Sequence, residues 1–289
     1  MALRQPRKGK IALRPNDTVV FCALDRHNVL PSNYLKLLFP DRNTNAFTDR
    51  LTALFHGSEV NGYFLDKPNG QWKSVYSDIQ HLVYGNAPNA QTLIDDSKLW
   101  IPPPRIDNHF VHSLMNGCVG FSFEHLLPSL NLGYIHRHEI LEKKQSKLAL
   151  PVSSGRLVPD DLFGIVYAVN LIQFFAVEID RATETINTIS HKLLGYFEAM
   201  TAAPGVPFLY RKEWGIDTFM VMIVTTTETR KRQILEGIRQ MNSRHAKRVI
   251  VKVLPDFDVL MWRVPEYILT ELLEPWDRAD GSTFDITVP

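Results

Sequence analysis

The sequence predicts an α/β protein in its larger, C-terminal part, preceded by a small module of helices and a β-hairpin. Three observations carry this reading. Residues 16–57 hold three short runs with helical periodicity, and two β-rich runs follow around Pro68-Asn69-Gly70. A polar stretch at 85–108, with Pro102-Pro103-Pro104 inside it, ends that module. Beyond it, apolar strand-like runs alternate with amphipathic helical ones, which implies parallel pairing and a sheet covered on both faces.

Composition sets the frame. The chain has 289 residues, a formal charge of +1, 45% hydrophobic and 22% charged residues, as an ordinary globular protein does. Cys22 and Cys118 form neither a metal-ligand spacing nor a disulfide framework, so a reducing, cytoplasmic compartment is expected. No apolar run reaches the roughly 18 residues that a membrane span needs, so no membrane partner is expected. Residues 1–14 carry Arg4, Arg7, Lys8, Lys10 and Arg14 without an acid. They read as a mobile basic arm, either a phosphate contact or a plain solubilising tail.

The first helical run, "RPNDTVVFCALDRHN", starts from Asn16 or Asp17 as a cap. The second, "LPSNYLKLLFP", is bounded by Pro31-Ser32 and Pro40. The third, "NTNAFTDRLTALFHG", has Asn43 or Thr44 as its cap and Gly57 as its stop, and buries Phe47, Leu51, Leu54 and Phe55 on one face. Three helices and a hairpin follow the order of a winged helix, in which the third helix enters the major groove and the hairpin touches the backbone. Arg42, Asn43, Asn45, Thr48 and Arg50 would be the helix contacts to double-stranded DNA, and Lys67 and Lys73 the wing contacts. The alternative is a helical module for dimerisation or protein binding. The expected organisation is a basic arm at 1–14, a winged-helix domain at 15–98, a linker at 99–108 and an α/β domain at 109–289.

In the second part, "NHFVHSLMNGCVGFSFEHLLPSL" reads as a helix and "LGYIHRHEIL" as a strand. Two more strands, "RLVPDDLFGIVYAV" and "QFFAVEID", come next. Residues 183–200 form an amphipathic helix with Ile186, Ile189, Leu193 and Phe197 on its buried stripe and Thr183 as its cap. "TFMVMIVTTT" is a fully buried strand, "ETRKRQILEGIRQM" a helix and "KRVIVKVLP" the last strand.

Alternation along "FFAVEID" sends Glu178 and Asp180 to one face and Val177 and Ile179 to the other. With the preceding strand alongside, Asp160 approaches Glu178. Carboxylates that converge repel one another and rise in pKa. A divalent cation with oxygen ligands, Mg²⁺ or Mn²⁺, would hold such a group together. The alternative is a set of exposed acids paired with Arg181, Lys192 or Arg156.

These strings carry a resemblance. Pro159-Asp160, then Glu178 on the neighbouring strand, resembles the PD-(D/E)xK nuclease-like superfamily. More of the chain is similar to the plasmid replication-relaxation protein family: "LPSNYLKLLF", "HSLMNGC", "VPDD", "FFAVEIDRATETINTISHKLLGYFEAM" and "FMVMIVTTTETRKRQIL". The resemblance implies a winged helix followed by a restriction-endonuclease-like α/β domain, acting on DNA for a plasmid or other mobile element alongside other replication or mobilisation proteins. It also implies Mg²⁺ held by Asp160 and Glu178, with Asp180 as an extra ligand. The superfamily's lysine belongs at position 180, where this chain has Asp180; Lys192 on the next helix is then either a migrated substitute for the catalytic cation or a solvent-facing lysine, and Asp180→Lys would restore the family residue. Arg181 would be a phosphate contact. The alternative is a non-catalytic scaffold that binds DNA or protein on a degenerate nuclease fold. Residues 225–252 add eight Arg/Lys against two Glu, the largest basic concentration in the chain. On one face they would hold a DNA backbone; spread around a helix they are a solvated surface.

Overall fold

The computed structural model describes residues 4–68, 71, 81–94, 108–142, 147–202, 204–258 and 263–289. It divides into two compact units, Met1–Phe121 with Leu260–Leu269, and Ser122–Val259 with Thr270–Pro289. The chain is a mixed α/β protein.

Unit 1 runs α1 (Pro15–His27), β1 (Val29–Pro31), α2 (Ser32–Leu37), α3 (Thr44–His56), β2 (Leu65–Asp66), β3 (Val83–Asn86), α4 (Pro88–Ile94) and the start of α5 (Asn108–Leu126). The three strands form an antiparallel sheet in the order β1-β3-β2. Helix α3 has the expected bounds: the Asn43 side chain accepts from the Asn45 and Ala46 amides at 3.0 and 3.2 Å, and Gly57, at φ 72°, closes the last turn. Helix α1 starts earlier than expected, at Pro15, because Asp17 caps from inside the first turn by accepting from the Arg14 amide at 2.7 Å. The "GNAPNAQTLI" stretch is not a loop: β3 ends in it, and Pro88 opens α4 from a position where its missing N–H costs nothing. The turn at Asn69-Gly70 and Lys73 lie outside the described residues.

Two boundary expectations change. The basic arm is anchored at Arg7 and Ile11, while most of its other residues are exposed. The Arg7 amide donates to Gly57, the Glu59 amide donates to Arg7, and Ile11 is buried while exchanging hydrogen bonds with the Asn61 side chain. The linker at 99–108 falls mostly outside the described residues, and the division lies later, within α5. A Cβ on Gly117 would come within 2.4 Å of the Val29 carbonyl oxygen, and Phe121 packs on His27 and Tyr34, so this part of α5 belongs with unit 1.

Unit 2 contains β4 (Gly133–Ile135), α6 (Arg137–Glu142), β5 (Leu150–Val152), β6 (Gly155–Leu157), β7 (Asp161–Ala168), β8 (Leu171–Asp180), α7 (Ile186–Ala199), α8 (Leu209–Glu213), β9 (Phe219–Thr225), α9 (Glu228–Gln240), β10 (Val249–Val253), β11 (Trp276–Asp277) and β12 (Thr283–Phe284). Its main sheet has the order β12-β11-β10-β9-β8-β7-β4. The β8–β9 and β9–β10 pairs are parallel, bridged by α7 and α9, and the other pairs are antiparallel. Leu162, Ala176, Val221 and Ile223 face one core with Leu193 of α7 and Ile238 of α9. On the other face Phe163 stacks between Phe123 and Phe175. All seven residues of β9 are buried, as a central parallel strand requires.

Three element expectations are corrected. "LGYIHRHEIL" is strand only to Ile135, since Glu139 accepts from the His136 amide at 3.1 Å and starts α6. Thr185, not Thr183, caps α7, accepting from the Thr188 amide at 3.2 Å. Strand β10 is not the last, as the two-residue strands β11 and β12 extend the sheet. Among the described residues, no helix is long and apolar enough to cross a membrane.

Candidate functional site

The acidic end of β8 is where the sequence motifs meet. Glu178 and Asp180 are both buried on the side of the sheet that carries α7 and α9. Asp160 sits just before β7 and is fastened to β8 twice: its amide donates to Val177 at 2.9 Å, and its carboxylate accepts from the Ile179 amide at 2.7 Å. The structure therefore brings Asp160, Glu178 and Lys192 together. Lys192 Nζ donates to Glu178 Oε2 at 3.0 Å and lies 3.6 Å from Glu184. One helical turn on, the fully buried Tyr196 hydroxyl donates to Glu178 Oε1 at 2.5 Å. Lys192 and Tyr196 are four apart on α7 and share one face.

Electrostatics follow from this packing. Burial, and next the charge of Asp160, push the Glu178 carboxyl up to about 7, against the pull of Lys192 and the Tyr196 hydrogen bond. Burial works against the Lys192 ammonium, but Glu178, Asp160 and Glu184 more than offset it and hold the lysine charged. Burial and the adjoining Glu178 drive the Tyr196 hydroxyl well above its ordinary value, so it stays a donor.

Asp180 has a different role from the one expected of a metal ligand. Its Oδ2 accepts from Arg230 Nε at 2.7 Å and from the Thr225 hydroxyl at 3.0 Å, while its Oδ1 accepts from Arg230 Nη2 at 3.1 Å and from the Ala182 amide at 3.0 Å. These four donors fill the lone-pair sites of a carboxylate. Arg181 is likewise turned inward, buried and donating to the Phe257 carbonyl at 3.3 Å, so it is not presented as a phosphate contact. Burial lowers its pKa and the charge of Asp258 acts in the opposite sense.

For a cation, Asp160 and Glu178 remain. Among the described residues, no group of three or more His, Cys, Asp or Glu side chains is placed to hold a metal. Two carboxylates still fit Mg²⁺, which keeps several waters and takes one or two protein carboxylates together with substrate phosphates.

In unit 1 the residues expected to touch DNA are mostly engaged. Arg50 is clamped on the buried Asp17, with Nε 2.9 Å from Oδ1, and also reaches the Ala12 carbonyl at 2.8 Å. Arg42 lies over the Phe39 ring and, with the Asn16 amide turned over, donates to its side-chain oxygen at 2.7 Å. The Asn43 side chain is the α3 cap. Lys67 lies over the rings of Phe55, at 4.2 Å, and Tyr84, at 5.0 Å; burial and then Arg4 push its pKa down to about 8. Asn45 and Thr48 are exposed on α3, with Asp49 beside them. In unit 2 the basic run is partly neutralised: Arg230 by Asp180, Lys231 by Asp277 and Glu228, Arg239 by Glu236, and Lys252 by Glu274.

Two residues of the site, Tyr196 and Arg230, had no role assigned from the sequence, although Tyr196 closes the "K-L-x-x-Y" string and Arg230 stands in the basic run. Arg230 left one signal: a cation in the first turn of a helix opposes the dipole, which calls for a specific acid partner. Tyr196 left another, as a polar-tipped residue four after Lys192 beside the apolar stripe. No family model, curated protein or solved structure matches the chain.

Proposed function

We propose that this chain is a DNA-binding protein of replication-relaxation type, with a winged-helix module in unit 1 and a Mg²⁺-dependent, PD-(D/E)xK nuclease-like domain in unit 2. The observation that carries this reading is the 3.0 Å contact of Lys192 with Glu178. It supplies, from α7, the cation that position 180 lacks. The strand order β1-β3-β2 behind α1, α2 and α3 supports the winged-helix part. Asn45 and Thr48, exposed on α3, would be its polar contacts.

In this reading Asp160 and Glu178 hold the metal, which when bound would activate water and offset charge on the scissile phosphate. Tyr196 fixes the rotamer of Glu178. Lys192 brings a permanent positive charge to the place where negative charge develops, the kind of contact whose loss costs about a hundredfold or more in rate. In the metal-free chain burial and Asp160 raise the Glu178 carboxyl to about 7, so Mg²⁺ would compete with that proton and bind more tightly as pH rises.

A second reading, a non-catalytic scaffold for DNA or a protein partner, is favoured by one observation. Both Glu178 oxygens already have donors, and Asp180 is saturated by Arg230, Thr225 and Ala182. The test is cleavage of supercoiled plasmid with titrated Mg²⁺ and Mn²⁺, wild type beside Glu178→Gln. The nuclease reading expects Glu178→Gln to lose cleavage while gel-shift affinity for DNA is kept. A wild type that binds DNA but neither binds these ions nor cuts single- or double-stranded DNA leaves the scaffold reading.

A further inference from the structure

The turn that joins β8 to α7 is held from outside chiefly by one side chain. Arg230, buried in the first turn of α9, donates through Nε and Nη2 to the two oxygens of Asp180, and Nη2 also donates to the Glu184 carbonyl at 2.7 Å. A single guanidinium thus ties both ends of residues 180–184. Inside the turn, Ala182 adopts φ 57°, a left-handed conformation that an alanine rarely takes, and its amide donates to Asp180 at 3.0 Å. The Thr225 hydroxyl at the end of β9 completes the set. Only after this turn does Thr185 cap α7.

The consequence for the site is geometric. Lys192 and Tyr196 both reach Glu178 from α7, while Glu178 is fixed on β8 two residues before Asp180. A helix that slipped by one residue would move about 1.5 Å along its axis and turn by about 100°, enough to break both contacts. We infer that Asp180 and Arg230 are positioning residues, a clasp that sets the register of α7 on β8 and so delivers the Lys192 ammonium to Glu178. This deepens the nuclease reading and rests on it for the role of Lys192. It also gives position 180 a purpose: the aspartate there presents a lysine carried by the helix. A lysine at 180 would face the buried Arg230, so Asp180→Lys removes the clasp instead of restoring a family residue.

The test follows the ammonium directly. In the full-length, ¹⁵N-labelled chain, a proton–nitrogen correlation selective for lysine ammonium groups reports those that are held and exchange slowly. The Lys192 signal is assigned by its loss in Lys192→Ala. Asp180→Asn keeps the size of the side chain and removes the charge and one acceptor oxygen. It is expected to abolish the Lys192 signal or speed its exchange by about tenfold or more. In single-turnover cleavage it should lower the rate as much as Lys192→Ala does, the double variant should lose no more than Lys192→Ala alone, and DNA affinity should stay unchanged. If Asp180→Asn does not fold, Thr225→Val, which deletes one donor to Asp180, is expected to speed exchange severalfold. An unchanged Lys192 signal in the folded variant, or no Lys192 signal in the wild type, overturns the clasp. A wild type that does not cut DNA while its ammonium responds as described removes the nuclease reading and leaves the clasp standing.

Discussion

Lys67 in unit 1 and Lys192 in unit 2 are both partly buried lysines, and their surroundings move them in opposite directions. Lys67 lies over Phe55 and Tyr84 with the Arg4 guanidinium nearby, and its pKa falls to about 8. Lys192 lies 3.0 Å from Glu178, with Asp160 and Glu184 adding their charge, and its pKa rises. Desolvation is common to both, so the difference comes from the neighbours. Aromatic faces attract a cation weakly, by about 0.5–2 kcal/mol, and a second cation opposes it. A buried carboxylate at hydrogen-bond distance offers a far stronger field. The wider regions differ in the same way. Unit 1 uses its cations as internal fasteners: Arg4 on Tyr63 and Asp66, and Arg50 on Asp17. Unit 2 gathers acids at the end of β8 and answers each with a named donor.

Asp180→Ala should have the largest effect on the acid side. It leaves Arg230 buried and unpaired, and a cost of about 3–5 kcal/mol is expected. A fall in the urea midpoint at unchanged slope would register it; a cost below about 1 kcal/mol would mean that Arg230 finds another partner.

The next effect is pH dependence, and here the two units should differ in sign and window. Glu178 holds its proton more tightly folded than unfolded, with a midpoint raised from 4.5 to about 7. Its contribution is present in full below about 4.5 and is lost as pH rises toward 7. Lys67 is depressed from 10.5 to about 8, so its contribution grows as pH rises from about 8 to 10.5 and is lost as pH falls through 8. Melting curves across pH 4–11 should therefore lose the first slope in Glu178→Gln and the second in Lys67→Met. An unaltered profile in either variant removes that half of the comparison.

Smaller effects belong to the α3 face. Asn43→Ala should cost about 1 kcal/mol through the lost cap, seen in thermal unfolding. Thr48→Ala, exposed and making no cap, should stay within about 0.5 kcal/mol, so that any change in a gel shift reports DNA contact alone.

Much of the architecture was legible in local chemistry. Asn43 and Gly57 bracket α3 because a cap and a left-handed stop act within one turn. The uniformly apolar "FMVMIV" announces a central strand. Alternation along β8 places Glu178 and Asp180 on one face. The division between them was not legible, because Arg230, which occupies Asp180, is 50 residues away in the chain. In the same way Arg50 and Lys67 read as a basic surface, whereas Asp17 neutralises the first and the Phe55 and Tyr84 rings cover the second. Strands β11 and β12, two residues each, are too short to carry a periodicity.

In the proposed reading Lys192, and not Lys67, serves the reaction. Single-turnover cleavage of plasmid DNA in saturating Mg²⁺, with a salt titration of binding on the same samples, measures both at once. Lys192→Ala should slow cleavage by about a hundredfold or more with binding unchanged. Lys67→Ala should leave both the cleavage rate and the salt slope of binding at wild-type values, since a lysine that touches phosphate would lower that slope by about one. Cleavage unaffected by Lys192→Ala, or a salt slope that drops in Lys67→Ala, would contradict the account.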